Sequence, residues 1–165
     1  MHQRETITSE GQWHEMQICL QDLLTRAGGH SVLLADATGQ LLGMAGISNE
    51  RDATALSTLA AGSFAATSEM AKFLGRNTQF KQSLYESKEY SIYSVTVGGE
   101  FLLTITFDAN TKLGLIRIFT EQAVKRLTEI VSQIKVAAHQ EDINDLIDAE
   151  FSQLIADELD NLFTE

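Results

Sequence analysis

The order of helical and extended segments is the feature that most restricts how this 165-residue chain can fold. Apolar spacing, turn residues and β-branched runs predict, in chain order, helix 12–27, strands 32–35 and 40–45, helix 52–74, strands 80–87, 90–97 and 101–108, and helix 112–137. Only one helix connects successive strands, and short turns join the others. This order predicts an α+β sandwich, in which a five-stranded antiparallel sheet is flanked by helices.

The second predicted helix, 52–74, is crowded with Ala, Ser, Thr and Gly, and its cap is expected at Ser48-Asn49. Gly62 lies in mid-helix, where it costs about 1 kcal/mol relative to Ala, so local propensity does not explain its presence. Small residues let another backbone approach closely, either the chain's own sheet or a second molecule. Because an antiparallel sheet also leaves edge strands that must be paired or shielded, we expect a symmetric homodimer.

Acidic residues are concentrated near the C-terminus. The formal charge is -11, but residues 1–138 hold 12 Lys and Arg against 14 Asp and Glu, a net -2, whereas residues 139–165 hold 9 acids and no Lys or Arg. Within 141–163, large apolar side chains recur at helical spacing opposite Asp and Glu. Such a helix is marginal alone in water, so it either packs permanently on its own domain or reaches a partner. The expected organisation is a polar segment 1–11, a domain 12–137 and an acidic amphipathic tail 138–165.

Several classes of function lack the residues that they need. The chain has no G-x-x-x-x-G-K-[ST] phosphate loop, and its 4 histidines and 1 cysteine show no metal-ligand spacing, so we expect no enzyme activity of its own, no cofactor and no metal. No apolar run approaches the ~20 residues that span a bilayer. No basic patch indicates binding to nucleic acid or to an anionic membrane, and the polar N-terminus does not resemble a signal peptide. Cys19 is expected in the core, and His30 at the surface near a strand start.

Three segments resemble the Roadblock family, whose domains also occur among dynein light chains. They are VLLADATGQLL after the first helix, LSTLAAGSFAATSEMAKFLG in the second, and the closing FDANTKLGLIRI, which is the most specific. Within the family, TLAAGSFAATSEMAKFLG and the C-terminal DELDNLFTE resemble the bacterial MglB branch, and generic Roadblock domains lack that ending. The resemblance covers about residues 12–137 and 157–165, and it implies a Roadblock/profilin-like fold.

The resemblance also implies a function. MglB-like proteins are non-enzymatic cytoplasmic homodimers that bind a small Ras-like GTPase of the MglA type in its GTP form. They stimulate hydrolysis and help to set cell polarity for motility, and their C-terminal segment tunes complex stability or nucleotide exchange. Carried onto this chain, the GTPase-binding residues are Ala61, Gly62, Ala65, Glu69, Leu159, Leu162 and Phe163. The expected dimer interface contains Leu56, Leu59, Phe64 and Ala66.

Some GTPase activators insert an arginine finger, which accelerates hydrolysis by about 10³–10⁵. Arg51 and Arg76, at the two ends of the second helix, are the candidates here. MglB-like proteins instead reposition the GTPase's own catalytic groups, so we expect both arginines to be solvated or salt-bridged.

Two alternatives to an activator stay open. One is a Roadblock dimer that gathers partners without accelerating hydrolysis, and the other is a small-molecule sensor. A sensor needs a cavity lined by polar groups, and the sequence offers no obvious set of buried polar residues for one. The chain also departs from the MglB pattern, because it has no proline and so lacks a Pro/Gly linker before the tail. Helix 112–137 is therefore expected to run almost directly into the tail helix.

Overall fold

A computed structural model describes the backbone of residues 2–162 and the side chains of residues 10–134, 143 and 145–157. The elements, in chain order, are α1 (His2–Ala27), β1 (Ser31–Asp36), β2 (Leu41–Ala45), α2 (Glu50–Leu74), β3 (Gln82–Glu86), β4 (Tyr90–Val97), β5 (Phe101–Asp108) and α3 (Leu113–Leu162). This confirms the predicted order of helices and strands. Internal contacts divide the chain into two units, Met1–Ile130 and Val131–Glu165.

The five strands form one antiparallel sheet in the order β2-β1-β5-β4-β3. In β1, Leu33 lies opposite Met44 of β2 on one side and opposite Thr104 of β5 on the other. Helix α2 carries the chain from one edge strand, β2, to the other, β3, and two hairpins then bring it back to β1. The α+β fold with a five-stranded antiparallel sheet, predicted from the sequence, is thereby confirmed.

The larger apolar core lies on the side of the sheet that faces α1. Gly43 of β2 identifies this side, because a Cβ at Gly43 would lie 2.8 Å from Cδ1 of Leu20. Leu34 pairs with Gly43 and therefore shares the same face. The largest buried side chains of this layer and of the first half of α3 are Met16, Leu20, Leu23, Leu34, Leu103, Ile105, Ile116 and Leu127.

Helix α1 also contacts α3 through Cys19, whose Sγ lies 3.9 Å from the carbonyl oxygen of Ala123. Cys19 is buried, as the sequence predicted, and burial raises the pKa of its thiol. A thiol in this environment stays protonated and unreactive at neutral pH.

The opposite side of the sheet faces α2, and its buried surface combines the apolar residues Leu33 and Leu102 with several hydroxyl groups. Ser31 and Thr106 are hydrogen-bonded across β1 and β5 at 2.6 Å, and Ser94 and Thr104 are hydrogen-bonded across β4 and β5 at 2.9 Å. From the helix, Ser57 donates to the carbonyl oxygen of Gly39 at 2.9 Å. Each of these hydroxyls therefore has a hydrogen-bond partner.

Two helices are longer than the sequence predicted. Helix α1 begins at His2 rather than at residue 12, because the polar residues of its first turns carry no apolar period that would mark a start. Helix α3 continues to Leu162, so the predicted third helix and the predicted tail helix are one element. The chain has no proline to end the helix between them. In the described part of the chain, no helix combines the length and the apolar character needed to cross a bilayer.

Candidate functional site

Local signals fix both ends of α2. The side-chain oxygen of Asn49 accepts a hydrogen bond from the backbone N–H of Arg51 at 3.0 Å, and its side-chain amide donates to Asp52 at 3.0 Å. The first turn carries two acidic residues, Glu50 and Asp52, which favour the positive end of the helix dipole. At the other end the N–H of Gly75 donates to the carbonyl oxygen of Ala71. The predicted Ser48-Asn49 cap is confirmed at Asn49.

The face of α2 that packs on the sheet is made of small residues. Ala53, Ser57, Ala61 and Ala71 are the buried positions of the helix. They recur at helical spacing, so the side chains on the opposite face point away from the sheet. The small residues that the sequence analysis singled out therefore serve, in part, to bring α2 close to its own sheet.

The outward face of α2 carries a row of uncovered apolar residues, here called the apolar stripe, at Leu59, Ala66, Met70 and Phe73. Leu59 is 71% exposed, Met70 64% and Phe73 92%. A single exposed apolar residue is ordinary, but a continuous row along one helix face is typical of an interaction surface.

The apolar stripe borders the free edge of the sheet. Ser63 and Tyr85, on α2 and β3, are hydrogen-bonded through their hydroxyls at 2.7 Å. Hydrogen bonds from Ser63 and Thr67 hold the pKa of Tyr85 below its ordinary value. Because β3 is an edge strand, its outer backbone groups and the apolar stripe lie side by side. This combination suits the pairing of two copies of the chain.

The predicted GTPase-binding residues on α2 fall into two groups. Gly62, Ala65 and Glu69 are exposed and form what we call the docking side of the helix. No heavy atom lies within 4 Å of a Cβ placed at Gly62, so this position is open to a partner. Ala61, by contrast, is 5% exposed and faces the sheet.

The predicted dimer residues are also divided. Leu59 and Ala66 are exposed on the apolar stripe, and Leu56 beside them is half-buried. Phe64 is half-buried as well, but it lines a cavity between α2 and the turn from β4 to β5. Leu59 and Ala66 thus lie on the outward face of α2, whereas Phe64 faces the cavity.

The predicted residues of the tail lie largely outside what the structure describes. The side chains of Leu159 and Leu162, and the whole of Phe163, are not among the described residues. The described apolar side chains of the tail are exposed, and they are Ile143, Leu146, Ile147, Phe151, Leu154 and Ile155. This row gives the tail an apolar face available to a partner.

Arg51 and Arg76 are both exposed at the ends of α2. Neither forms an ion pair with another residue of the described part of the chain. Both arginines are therefore solvated, one of the two states expected from the sequence.

A basic groove, not predicted from the sequence, lies beside the docking side. Two adjoining cavities of about 520 and 190 Å³ lie between the second half of α2, the segment 76–81 and the turn from β4 to β5. Three cations line the larger one: Lys72, Arg76 and Lys81. Lys72 lies in the last turn of α2, and Arg76 lies just beyond the C-cap at Gly75. Lys81 joins them only through the fold, so no run of basic residues marks the groove in the sequence.

Chemistry that needs clustered ligands has little support in the described residues. Within that part of the chain, no three side chains among His, Cys, Asp and Glu lie close enough to hold a metal ion. His30 is exposed at the start of β1, and its Nε2 lies 2.7 Å from Oδ1 of Asp108. This pair joins the ends of β1 and β5, and we assign it a structural role.

Comparison with known proteins identifies the family. The Roadblock/LC7 domain model matches residues 16–107. Myxococcus xanthus MglB is 31% identical with a TM-score of 0.69, over 73% of this chain and 90% of that one. The gliding protein MglB of Thermus thermophilus is 25% identical with a TM-score of 0.68, over 74% of this chain and 92% of that one. A solved MglB with a tetrameric arrangement is 25% identical with a TM-score of 0.69, over 74% and 91%.

The matched span covers the parts of the molecule described above. It begins within α1 and ends within β5, and so it includes α2, the apolar stripe, the docking side and nearly the whole sheet. The resemblance read from the sequence is thereby confirmed, both for the family and for the likeness to MglB. The chain belongs to the Roadblock/LC7 family.

Proposed function

We propose that the chain is a cytoplasmic, homodimeric regulator of a small Ras-like GTPase of the MglA type. It binds the GTP form and stimulates hydrolysis, and it thereby helps to set cell polarity for motility. Its likeness to MglB supports this class of function. The observation that carries the proposal is the exposed docking side of α2, at Gly62, Ala65 and Glu69, beside an apolar stripe suited to pairing two copies.

The dimer follows from two neighbouring surfaces. The apolar stripes of two copies cover each other when their α2 helices pack together, and the small side chain of Ala66 allows the two helix backbones to approach. The same movement brings the β3 edges of the two copies together, so their sheets can join through backbone hydrogen bonds. A twofold axis between the copies satisfies both contacts at once.

The GTPase then contacts the docking side. Gly62 and Ala65 have almost no side chain, so a partner's backbone can approach α2 closely there. Glu69 adds a carboxylate at the rim, where Lys72 holds it at 2.6 Å. The tail adds a second contact through its exposed apolar face, and it tunes the stability of the complex or nucleotide exchange.

The test is GTP turnover by an MglA-type GTPase from the same organism, with and without this protein. We expect strong acceleration. Ala65→Arg should reduce the acceleration at least about tenfold, because a long charged side chain replaces a small one at the contact, and tenfold corresponds to about 1.4 kcal/mol. Ala109→Arg is the matched control, since Ala109 is exposed between β5 and α3, away from α2.

Each outcome of the turnover assay has a distinct meaning. Unchanged turnover in a stable, GTP-dependent complex would show a scaffold rather than an activator. Absence of any complex would contradict the proposed partner. Acceleration that Ala65→Arg leaves intact would place the contact elsewhere on the molecule.

Substitution of the arginines at the ends of α2 distinguishes two mechanisms of GTPase activation. We expect Arg51→Ala and Arg76→Ala to leave the acceleration within about twofold, because the GTPase's own groups are repositioned. An inserted finger would instead be worth about 10³–10⁵ in rate. Loss of that size with binding intact, measured by single-turnover kinetics, would overturn the repositioning mechanism.

A further inference from the structure

The basic groove has a chemistry that the proposed function does not use. Its larger cavity, of about 520 Å³, is lined by Phe64 and Phe80 as well as by Lys72, Arg76 and Lys81. Ser68, Thr78, Gln79, Thr96 and Gly99 complete the lining. Such a lining suits a ligand with both bulky apolar groups and negative charge.

The cations of the groove are only partly neutralised. Lys72 pairs with Glu69 at 2.6 Å on the exposed helix surface. Arg76 and Lys81 form no ion pair with another residue in the described stretches of the chain. Arg76 and Lys81, both exposed, therefore line the cavity beside two aromatic residues, where an incoming carboxylate can reach them.

The chain itself contains a segment of complementary chemistry. Residues 139–165 carry 9 Asp and Glu and no Lys or Arg. Phe151, Leu154 and Ile155 of this segment are exposed on α3. The segment thus offers apolar anchors and carboxylates together, as the groove requires. Two such tails repel each other, so an apolar row on one does not favour pairing with the same row on another.

We propose that the basic groove docks the acidic C-terminal segment of a second copy of this chain. Apolar side chains of the segment enter between Phe64 and Phe80, and carboxylates meet Lys72, Arg76 and Lys81 at the rim. The inference goes beyond the proposed function and does not depend on it, since the contact needs no GTPase.

The position of the groove gives this contact a consequence. Ala65 belongs to the docking side and also lines the smaller cavity, which shares Phe64 and Ser68 with the larger one. A docked tail therefore lies directly beside the proposed GTPase contact. A docked tail and a bound GTPase consequently exclude one another. The tail acts as a competitor in the free protein and as a ligand of the GTPase in the complex.

The experiment uses full-length protein without GTPase. One population carries a nitroxide spin label on Ser152→Cys in a Cys19→Ser background, and a second, unlabelled population is enriched in ¹⁵N. After the two are mixed, only contact between copies can broaden the ¹⁵N signals. We expect broadening of the amides of Ser68, Thr78 and Thr96, which line the groove.

Two perturbations should remove the broadening. Lys72→Glu combined with Arg76→Glu in the ¹⁵N population replaces attraction by repulsion and should weaken docking about tenfold or more. Salt at about 1 M, which shortens the screening length to about 3 Å, should act in the same direction on the unmodified protein. The salt arm keeps the test valid if the double variant does not fold.

A matched double variant controls for net charge. Lys112→Glu combined with Lys125→Glu changes the charge by the same amount at exposed positions outside the groove, and it should leave the broadening intact. Broadening that is absent in the mixture, lies at other surfaces or survives both perturbations would overturn the proposal. Failure of GTPase activation alone would leave it standing.

Discussion

At the scale of single residues, Gly39 joins the β1–β2 turn to the underside of α2. Its φ is +89°, and a Cβ there would lie 2.6 Å from the Cα of Thr58. Both the backbone conformation and the contact exclude a side chain. We expect Gly39→Ala to lower the free energy of unfolding by about 2–4 kcal/mol, as measured by urea denaturation.

Gly98 provides the matched control for this prediction. Its φ is also positive, at +59°, but no heavy atom lies within 4 Å of the Cβ position. Gly98→Ala should therefore cost only the backbone strain, about 1–2 kcal/mol. Equal losses for the two variants would mean that the contact with α2 contributes nothing.

Asp36 gives the same turn a dependence on pH. Its carboxylate accepts hydrogen bonds from the hydroxyl of Thr38 at 2.6 Å and from the backbone N–H groups of Thr38 and Gln40 at 2.9 and 3.0 Å. The hydroxyl contributes most, and together these bonds hold the pKa of Asp36 below 3.8. The stability they contribute is full above that value and is lost as the pH falls through the lower, folded-state pKa.

Substitution of Asp36 tests this dependence of stability on pH. Asp36→Ala should destabilise the protein at neutral pH, and the difference from the unmodified protein should shrink as the pH falls through the lowered pKa of Asp36. Urea denaturation across that range measures it. Thr38→Val, which removes the hydroxyl and keeps the backbone bonds, should raise the pKa of Asp36 in an NMR titration. A difference that is constant with pH would contradict the assigned role of the carboxylate.

The sequence predicted a turn at 36–39 and a capping group at Asn49, because both depend on neighbours in the chain. The close contact of Gly39 with α2, and the meeting of Lys72 and Arg76 with Lys81, depend on residues brought together only by the tertiary fold. Local sequence patterns do not indicate contacts between residues far apart in the chain, and for this reason the basic groove was not predicted.

At the scale of elements, the apolar stripe of α2 decides whether the chain pairs with itself. Leu59→Glu and Met70→Glu each place a charge on the stripe without touching the buried face of the helix. A symmetric interface buries each position twice, so each variant should weaken the dimer by about 3–6 kcal/mol. Sedimentation velocity should show a shift to monomer at micromolar concentration.

Leu115→Glu serves as the control, because Leu115 is exposed on α3 rather than on α2. It should leave the oligomeric state unchanged. A dimer that survives both changes on α2, or that Leu115→Glu disrupts, would contradict an interface at the apolar stripe.

The elements themselves were predictable to different degrees. Strands β4 and β5 were placed at their observed bounds, because alternating β-branched residues and a Gly-Gly turn mark them clearly. The lack of proline led to the expectation that the third helix runs almost directly into the tail helix, and α3 is indeed one helix as far as Leu162.

At the scale of the whole molecule, we propose that the body provides folding and dimerisation and the tail provides affinity for the partner. Truncation after Ala138 should therefore preserve the dimer and weaken the GTPase complex, as measured by sedimentation and by titration calorimetry. Phe151→Glu in the full chain should weaken the complex in the same direction, because it disrupts the exposed apolar face. A truncated chain that is unfolded or monomeric would show that the tail belongs to the core.

The two helical layers that cover the sheet differ in how much apolar surface they bury. Under α1, bulky side chains such as Leu20 and Leu34 are fully buried. The buried positions of α2 are small, Ala53, Ser57, Ala61 and Ala71, and the strands below it contribute hydroxyls such as Ser94 and Thr104 beside Leu33 and Leu102. Because α1 buries Met16, Leu20 and Leu23 and α2 buries only Ala and Ser side chains, local opening of α2 exposes less apolar surface and costs less free energy than opening of α1. Amide protons in α2 should accordingly exchange with deuterium sooner in the isolated chain, and pairing through the apolar stripe should slow them most. The helix that we propose contacts the partners is thus the one that those contacts stabilise most.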